Sequence, residues 1–259
     1  MSIKQLKLMS KSTINTTLNY SPNFDHKKRK LNQIKFIIFH YTGMKKEKDA
    51  IRKLTSDKSK VSCHYFIKKN GKILTLVPDF YNSWHAGISY WKNRKFLNRN
   101  SIGIEISNPG HNFKYAKFTK KQINSILRLS NFLIKKYKIS NNSILGHSDI
   151  APDRKKDPGE KFPWEYLSKN KIGYWHNLDA NFLLKKRNIN INMKEKNKFI
   201  KNLFKIGYSK NLNISKIKFF TIITKAFQRR FRQDLVNGII DEECLLISEN
   251  LVKKFNKSS

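Results

Sequence analysis

Residues 34–40 read IKFIIFH, a short apolar run that ends on a histidine. A continuous run of this kind, rich in Ile and Phe, is typical of a strand that is buried on both faces of a mixed sheet. Residues 101–107, SIGIEIS, are typical of another strand, because isoleucine occupies every second position. We expect both segments in the central sheet of the fold.

Shorter patterns surround these two segments. Residues 45–55 predict a short helix, and the β-rich runs 61–67 and 72–77 predict a hairpin. The runs are joined through Asn70-Gly71, which is a strong signal for a hairpin turn. These patterns add a second pair of strands to the expected sheet.

A longer helix is predicted from its cap and its periodicity. Thr119 is a favourable N-cap, and apolar residues follow at helical spacing as far as about Tyr137. The apolar segment 144–146 then leads directly into His147. Strands that alternate with helices indicate an α/β fold, a mixed central sheet flanked by helices.

The C-terminal part of the chain has a different, purely helical pattern. Helices are predicted near 194–206, 215–231 and 241–254, which together suit a small three-helix domain. The predicted organisation is an N-terminal arm 1–20, a main domain 21–180, a linker 181–193 and a three-helix domain 194–259.

Composition and charge limit the classes of protein to consider. Of 259 residues 39% are hydrophobic, so a packed core is expected. The formal charge of +36 would suit a polyanionic partner. However, the lysines are spread along the chain among Asn and Ile, and no nucleic-acid motif is recognisable. A nucleic-acid-binding protein is therefore kept only as an alternative, and no nucleic-acid partner is expected.

Sequence signals for location and redox state are few. No apolar run is long enough to cross a bilayer, and the first twenty residues lack the apolar segment of a signal peptide. The expected location is the cytoplasm, with the periplasm or the cell envelope as the alternative. Cys63 and Cys244 are too few for a disulfide framework, and both are expected to be small buried side chains.

Three separated residues could hold a metal ion. His40 ends the first buried strand, His147 follows another apolar segment, and Asp157 lies in a Pro- and Gly-containing loop. Two imidazoles and one carboxylate suit Zn²⁺ and leave a fourth coordination position open. Because the separations are long and non-helical, spacing alone also allows each histidine to be a hydrogen-bonded structural side chain.

Glu105 interrupts an otherwise apolar strand. It could be an ordinary carboxylate on a solvent-exposed face of the sheet. It could instead point into a cleft, where partial desolvation would raise its pKa and make it a usable general base. The residue pattern alone leaves both interpretations open.

Several motifs together resemble those of the type 2 N-acetylmuramoyl-L-alanine amidases, relatives of the peptidoglycan-recognition proteins. In order they are FHYT (39–42), SCHYFI (62–67), WHAG (84–87), SIGIE (101–105), GHSDIAP (146–152), RKKDPG (154–159) and FPW (162–164). Each motif is weak alone, but their common order is specific, and the resemblance covers about residues 20–178.

The resemblance implies a role for each matching position. It implies zinc ligands at His40, His147 and Asp157, a catalytic Glu105 and a catalytic Lys155. It also implies substrate contacts by three residues, Tyr41, Trp84 and His85. The expected activity is zinc-dependent hydrolysis of the amide between N-acetylmuramic acid and L-alanine, with peptidoglycan or muropeptide fragments as partners.

Residues 194–254 more faintly resemble a peptidoglycan-binding three-helix module, and the C-terminal domain is therefore expected to be peptidoglycan-binding-like. A helical appendage without a ligand is the alternative.

Two further alternatives remain open. A peptidoglycan-recognition protein would hold zinc without hydrolysing its ligand, but the presence of Glu105 and Lys155 argues against it. A cysteine peptidase would use Cys63 with a histidine. The adjacent His64 would point to the opposite face of an extended strand, so this pair is a poor catalytic dyad.

Overall fold

The computed structural model describes residues 14–210, 212 and 214–256. The strands of this part are β1 (Thr17–Leu18), β2 (Phe24–Asp25), β3 (Phe36–Tyr41), β4 (Tyr65–Ile67), β5 (Ile73–Thr75), β6 (Asn82–Ser83), β7 (Tyr90–Trp91), β8 (Arg94–Lys95), β9 (Ser101–Ile106) and β10 (Ile144–Gly146). The α-helices are α1 (Glu47–Thr55), α2 (Lys120–Tyr137), α3 (His147–Ile150), α4 (Trp164–Lys169), α5 (Ala180–Lys186), α6 (Met193–Ile206), α7 (Lys216–Phe231) and α8 (Glu242–Asn256).

A six-stranded sheet in the order β1-β5-β4-β9-β3-β10 forms the centre of the fold. Strand β9 pairs in parallel with both β3 and β4, whereas β4 and β5 are antiparallel. The sheet is therefore mixed, and the predicted α/β class is confirmed. The predicted hairpin is also confirmed, with Phe66 opposite Leu74.

The two central strands are buried on both faces, as their apolar sequences predict. Ile37, Ile38 and Phe39 of β3 are fully buried. The isoleucines of β9 are fully buried as well, whereas Glu105 on the other face is half-buried. Burying these side chains supplies the hydrophobic free energy that holds the sheet together.

Helix α2 begins where the sequence predicts. The Thr119 hydroxyl accepts a hydrogen bond from the Gln122 backbone N–H at 3.1 Å, and the Gln122 side chain accepts one from the Thr119 N–H at 3.0 Å. This reciprocal capping box satisfies two backbone donors at the helix start. The predicted helix over 45–55 is likewise confirmed as α1.

The chain divides into two compact units, each with its own contacts. The first contains the residues up to His85 and Asn98–Ile144, and the second contains Ala86–Leu97 and the chain from Leu145 onwards. In the second unit, α8 packs against α5 and α6. The three predicted C-terminal helices are confirmed as α6, α7 and α8.

The predicted domain boundaries stay predictions. Residues 1–13 of the predicted arm lie outside the described residues, and within 14–20 strand β1 pairs in parallel with β5. The predicted linker 181–193 is not extended throughout, since it contains most of α5. The Asp179 side chain caps this helix by accepting a hydrogen bond from the Phe182 N–H at 2.8 Å, a local signal that the sequence interpretation overlooked.

None of the helices in the described part of the chain combines the length and the apolar character that crossing a bilayer requires.

Candidate metal centre

His40 and Glu105 lie side by side on adjacent parallel strands. The register of β3 and β9 pairs His40 directly with Glu105. Side chains of directly paired residues point to the same face of a sheet, and the strands are about 4.8 Å apart. The carboxylate of Glu105 therefore belongs to the same sheet face as the His40 imidazole. Strand register thus favours the cleft interpretation of Glu105 over a remote surface position.

His85 contacts His40 on this face. Its Nδ1 atom lies 3.0 Å from Nε2 of His40, and its Nε2 atom lies 3.1 Å from the Ser101 hydroxyl oxygen. The side chain is 9% exposed. The predicted contact of His85 with substrate stays a prediction, and these neighbours place the residue against a candidate metal ligand.

His147 and Asp157 approach each other in the second unit. Nδ1 of His147 lies 3.1 Å from a carboxylate oxygen of Asp157, and both side chains are buried. Nε2 of His147 lies 3.1 Å from the Ala86 carbonyl oxygen. The Ser148 N–H also donates to the Asp157 carbonyl at 2.8 Å. These hydrogen bonds hold the start of helix α3, which carries His147, against the loop that carries Asp157.

Arg154 is a supporting residue to which the sequence interpretation gave no role. Its guanidinium donates to the Ala86 carbonyl at 2.6 Å and also hydrogen-bonds the Ile88 carbonyl. Since the Ala86 carbonyl is also the neighbour of His147 Nε2, Arg154 helps to fix the acceptor that orients this imidazole. This contact joins residues 68 positions apart, so no local sequence pattern marks it.

Asp149 anchors the short helix α3 that begins at His147. One carboxylate oxygen accepts from the Gly146 N–H at 2.7 Å and from Arg230 at 2.5 Å. The other accepts from the Tyr208 hydroxyl at 2.9 Å. Arg230 is 81 residues away along the chain, so no local sequence pattern could have predicted this contact.

Candidate ligand atoms of His40, His147 and Asp157 all lie within 4.8 Å of one another, and all three residues are buried. The donor set suits zinc, because two imidazole nitrogens and one carboxylate are common ligands of catalytic zinc. The hydrogen bonding of His147 also suits it. If Nε2–H donates to the Ala86 carbonyl, the Nδ1 lone pair and the Asp157 carboxylate face a common cation.

The other predicted site residues have mixed surroundings. Lys155 is half-buried in the loop before Asp157, and its backbone N–H donates to the Ala151 carbonyl at 3.0 Å. The Trp84 indole N–H donates to Asp25 at 2.8 Å. Their predicted roles in catalysis and substrate binding stay predictions.

Tyr41 belongs to an aromatic cluster on the first unit. Its hydroxyl lies 2.9 Å from Nδ1 of His111, and the His111 ring stacks on Tyr115 with centroids 4.6 Å apart. Sequence analysis assigned no role to His111 or Tyr115. The predicted substrate contact of Tyr41 is likewise untested by these distances.

Cys63 and His64, the pair judged a poor catalytic dyad from the sequence, are both buried. Burial raises the pKa of the Cys63 thiol well above its usual range, which argues against a cysteine nucleophile. Burial, with a contribution from Arg29, lowers the pKa of His64 to about 3. His64 is therefore a neutral structural imidazole, with Nδ1 3.0 Å from the Gly103 backbone nitrogen. Cys244 is also free and buried, as predicted.

A mixed sheet that carries a carboxylate beside a buried His-His-Asp set characterises an α/β protein with a candidate metal-ion centre. Comparison with known sequences narrows this class. Residues 30–160 match the family described as N-acetylmuramoyl-L-alanine amidase. The chain is 35% identical over 238 residues to the N-acetylmuramoyl-L-alanine amidase AmiD of Escherichia coli, covering 87% of this chain and 84% of AmiD.

A second relative matches a shorter region. The 1,6-anhydro-N-acetylmuramyl-L-alanine amidase AmpD of Haemophilus influenzae is 41% identical over 111 residues, which is 42% of this chain and 58% of AmpD.

Solved structures agree with these sequence matches. AmiD from E. coli, in complex with the substrate anhydro-N-acetylmuramic acid-L-Ala-D-gamma-Glu-L-Lys, superposes with a TM-score of 0.76 at 33% identity, covering 89% of this chain and 92% of AmiD. AmpDh3 from Pseudomonas aeruginosa, in complex with anhydromuramic pentapeptide, superposes with a TM-score of 0.75 at 27% identity, covering 94% and 96%. The chain belongs to the N-acetylmuramoyl-L-alanine amidase family, as its sequence motifs predict.

Proposed function

We propose that this protein is a zinc-dependent hydrolase that cleaves the amide between N-acetylmuramic acid and L-alanine in peptidoglycan or muropeptides. Family membership supports the class of reaction. The observation that carries the proposal is the register of β3 and β9, which pairs a candidate ligand, His40, with a candidate general base, Glu105. A hydrolase that activates water requires this combination of a metal ligand and a neighbouring proton acceptor.

His40, His147 and Asp157 are the residues that would hold the zinc ion. When bound, the ion would polarise the substrate carbonyl and make water acidic enough to be deprotonated near neutral pH. Their burial excludes bulk water, and this strengthens the electrostatic interactions on which the reaction depends.

Glu105 would move the proton. Its carboxylate accepts a proton from the water whose oxygen attacks the lactyl carbonyl carbon. When the bond from this carbon to nitrogen breaks, Glu105 returns the proton to the departing amine of L-alanine. The half-buried position of Glu105 among apolar strand residues favours such a reversible transfer.

Lys155 would stabilise the negative charge that develops on the carbonyl oxygen during attack. It lies in the same loop as Asp157, and its ammonium is a suitable donor to an oxyanion. Tyr41 and Trp84 would contact the sugar or the peptide through their rings, since both are only partly buried.

Small anhydro-muropeptides are the substrate that we propose for the first assay. The structures of AmiD and AmpDh3 contain ligands of this kind. Polymeric cell wall is the second substrate, and comparison of the two rates would show whether the protein acts in recycling or in turnover of the wall.

Substitution of Glu105 by Gln tests the proposal, because Gln keeps the shape and loses the proton acceptor. Purified Glu105→Gln protein should bind zinc as the wild type does and release free peptide from anhydro-muropeptides at least about 100-fold more slowly. Mass spectrometry of the products measures this rate.

The matched control is Glu165→Gln, since Glu165 is an exposed helical carboxylate that forms a surface ion pair with Lys169. This variant should keep the wild-type rate. Full activity of Glu105→Gln would disprove the proton-transfer role. A folded, zinc-binding wild type that holds muropeptides without cleaving them would favour a recognition protein.

A further inference from the structure

The His85 ring occupies a defined position on the polar face of β9. Ser101, Gly103 and Glu105 occupy alternate positions of this strand and so share one face. The His85 imidazole lies over Gly103, between the Ser101 hydroxyl at 3.1 Å and His40 Nε2 at 3.0 Å. The ring thus bridges a strand residue and a candidate metal ligand.

Gly103 provides the space for this ring. A Cβ atom built on Gly103 would lie 2.3 Å from Cγ of His85 and 2.6 Å from its Nδ1. No side chain larger than hydrogen fits there unless the imidazole moves. A glycine inside a strand usually weakens the strand, and it often marks a close approach by another group. Here the group that approaches is His85.

The hydrogen bond between the two histidines must have one direction if His40 is a ligand. A metal-bound imidazole uses one nitrogen for the ion and carries a proton on the other. Nε2 of His40 faces His85 at 3.0 Å, so Nε2–H donates to Nδ1 of His85. With Nδ1 as the acceptor, the His85 ring carries its proton on Nε2 and donates it to the Ser101 hydroxyl oxygen.

We propose that His85 is a positioning residue of the metal centre: it accepts the Nε2–H of His40 and so presents Nδ1 of His40 to the zinc ion. This inference rests on the proposed function, and it assigns His85 to the support of a ligand. Such partners of ligating histidines fix the tautomer and the orientation of the ring.

Zinc affinity tests the proposal without any measurement of catalysis. In competition with a chromophoric chelator, His85→Leu should bind zinc about 10- to 100-fold more weakly than the wild type. His85→Asn should bind more tightly than His85→Leu, because the Asn side-chain oxygen can replace Nδ1 as the acceptor. The control is His26→Leu, which removes an exposed histidine of the same unit and should leave affinity unchanged.

A folded His85→Leu protein that binds zinc as tightly as the wild type would overturn the proposal. If this variant does not fold, imidazole nitrogen NMR spectra of the zinc-loaded wild type decide. They should show a His40 ring with the metal on Nδ1 and a proton on Nε2, and a metal on Nε2 would refute the inference. Absence of any zinc binding by the wild type would instead refute the proposed function.

Discussion

The candidate ligands are held by different kinds of structure in the two units. In the first unit, His40 lies on a central strand and is paired with Glu105 of the next strand. The His85 ring packs on that strand between His40 and the Ser101 hydroxyl. In the second unit, His147 and Asp157 lie in a short helix and a loop, which depend on side chains from distant parts of the chain.

The charges that support the ligands differ as well. His40 contacts a second imidazole, that of His85, and is paired with the carboxylate-bearing residue Glu105. Next to His147, Asp149 forms a buried ion pair with Arg230 and accepts from Tyr208. The comparison teaches that strand pairing places His40 beside Glu105, whereas the helix that begins at His147 depends on tertiary contacts of Asp149 with Tyr208 and with Arg230 of helix α7.

The largest effect is expected when the buried ion pair of the second unit is broken. Arg230→Met leaves the Asp149 carboxylate buried without its cation, and this should destabilise the protein by about 3–5 kcal/mol. Urea unfolding measures the loss, and zinc titration of the remaining folded protein should show weaker binding.

An exposed pair provides the comparison. Lys169→Met removes the surface ion pair with Glu165 and should cost less than about 1 kcal/mol. If Arg230→Met and Lys169→Met were equally stable, the contact between Arg230 and Asp149 would not be what holds helix α3 in place.

A smaller effect is expected from added bulk in the first unit. Gly103→Ala places a methyl group against the His85 ring, so overpacking should cost about 1–3 kcal/mol and zinc affinity should fall. Ile102→Val lies on the opposite face of β9, and its expected cost is about 0.5–1.5 kcal/mol.

These two variants separate fold stability from the metal centre. Zinc titration should distinguish them, since only Gly103→Ala displaces His85. If Gly103→Ala bound zinc as tightly as the wild type, the prediction that the His85 ring over Gly103 positions His40 would be contradicted.

A small effect, confined to stability, is expected at the start of α2. The sequence predicts the start of this helix from its cap, Thr119. Thr119→Ala removes the cap and should lower the free energy of unfolding by about 1 kcal/mol. Because Thr119 contacts no candidate ligand in the described contacts, zinc affinity should stay at the wild-type value. Thr119→Ser keeps the hydroxyl and should restore most of the lost stability. A loss of zinc binding in Thr119→Ala would contradict the expectation that this cap affects only the stability of the fold.

Local sequence patterns predicted most of the elements that carry the site. Strands β3 and β9 follow from apolar runs, and the start of α2 follows from its cap. Helix α5 was missed because the segment 181–192 is rich in Lys and Asn and has no clear apolar stripe.

The candidate site was predictable only in part. Motif order identified His40, Glu105, His147 and Asp157, and the structure brings the three candidate ligands together. The roles of Arg154 and Arg230 were not predictable, because each donates to groups more than sixty positions away. Such contacts depend on the tertiary fold and leave no short-range pattern.

Metal dependence is the most direct test of the central claim that His40, His147 and Asp157 share one zinc ion that serves amide hydrolysis. The purified protein would be stripped with a chelator, titrated with zinc, and assayed on anhydro-muropeptides by mass spectrometry. The account predicts no cleavage by the stripped protein and full recovery at one zinc per chain, with His147→Ala failing to recover. Undiminished release of peptide from the metal-free protein would contradict it.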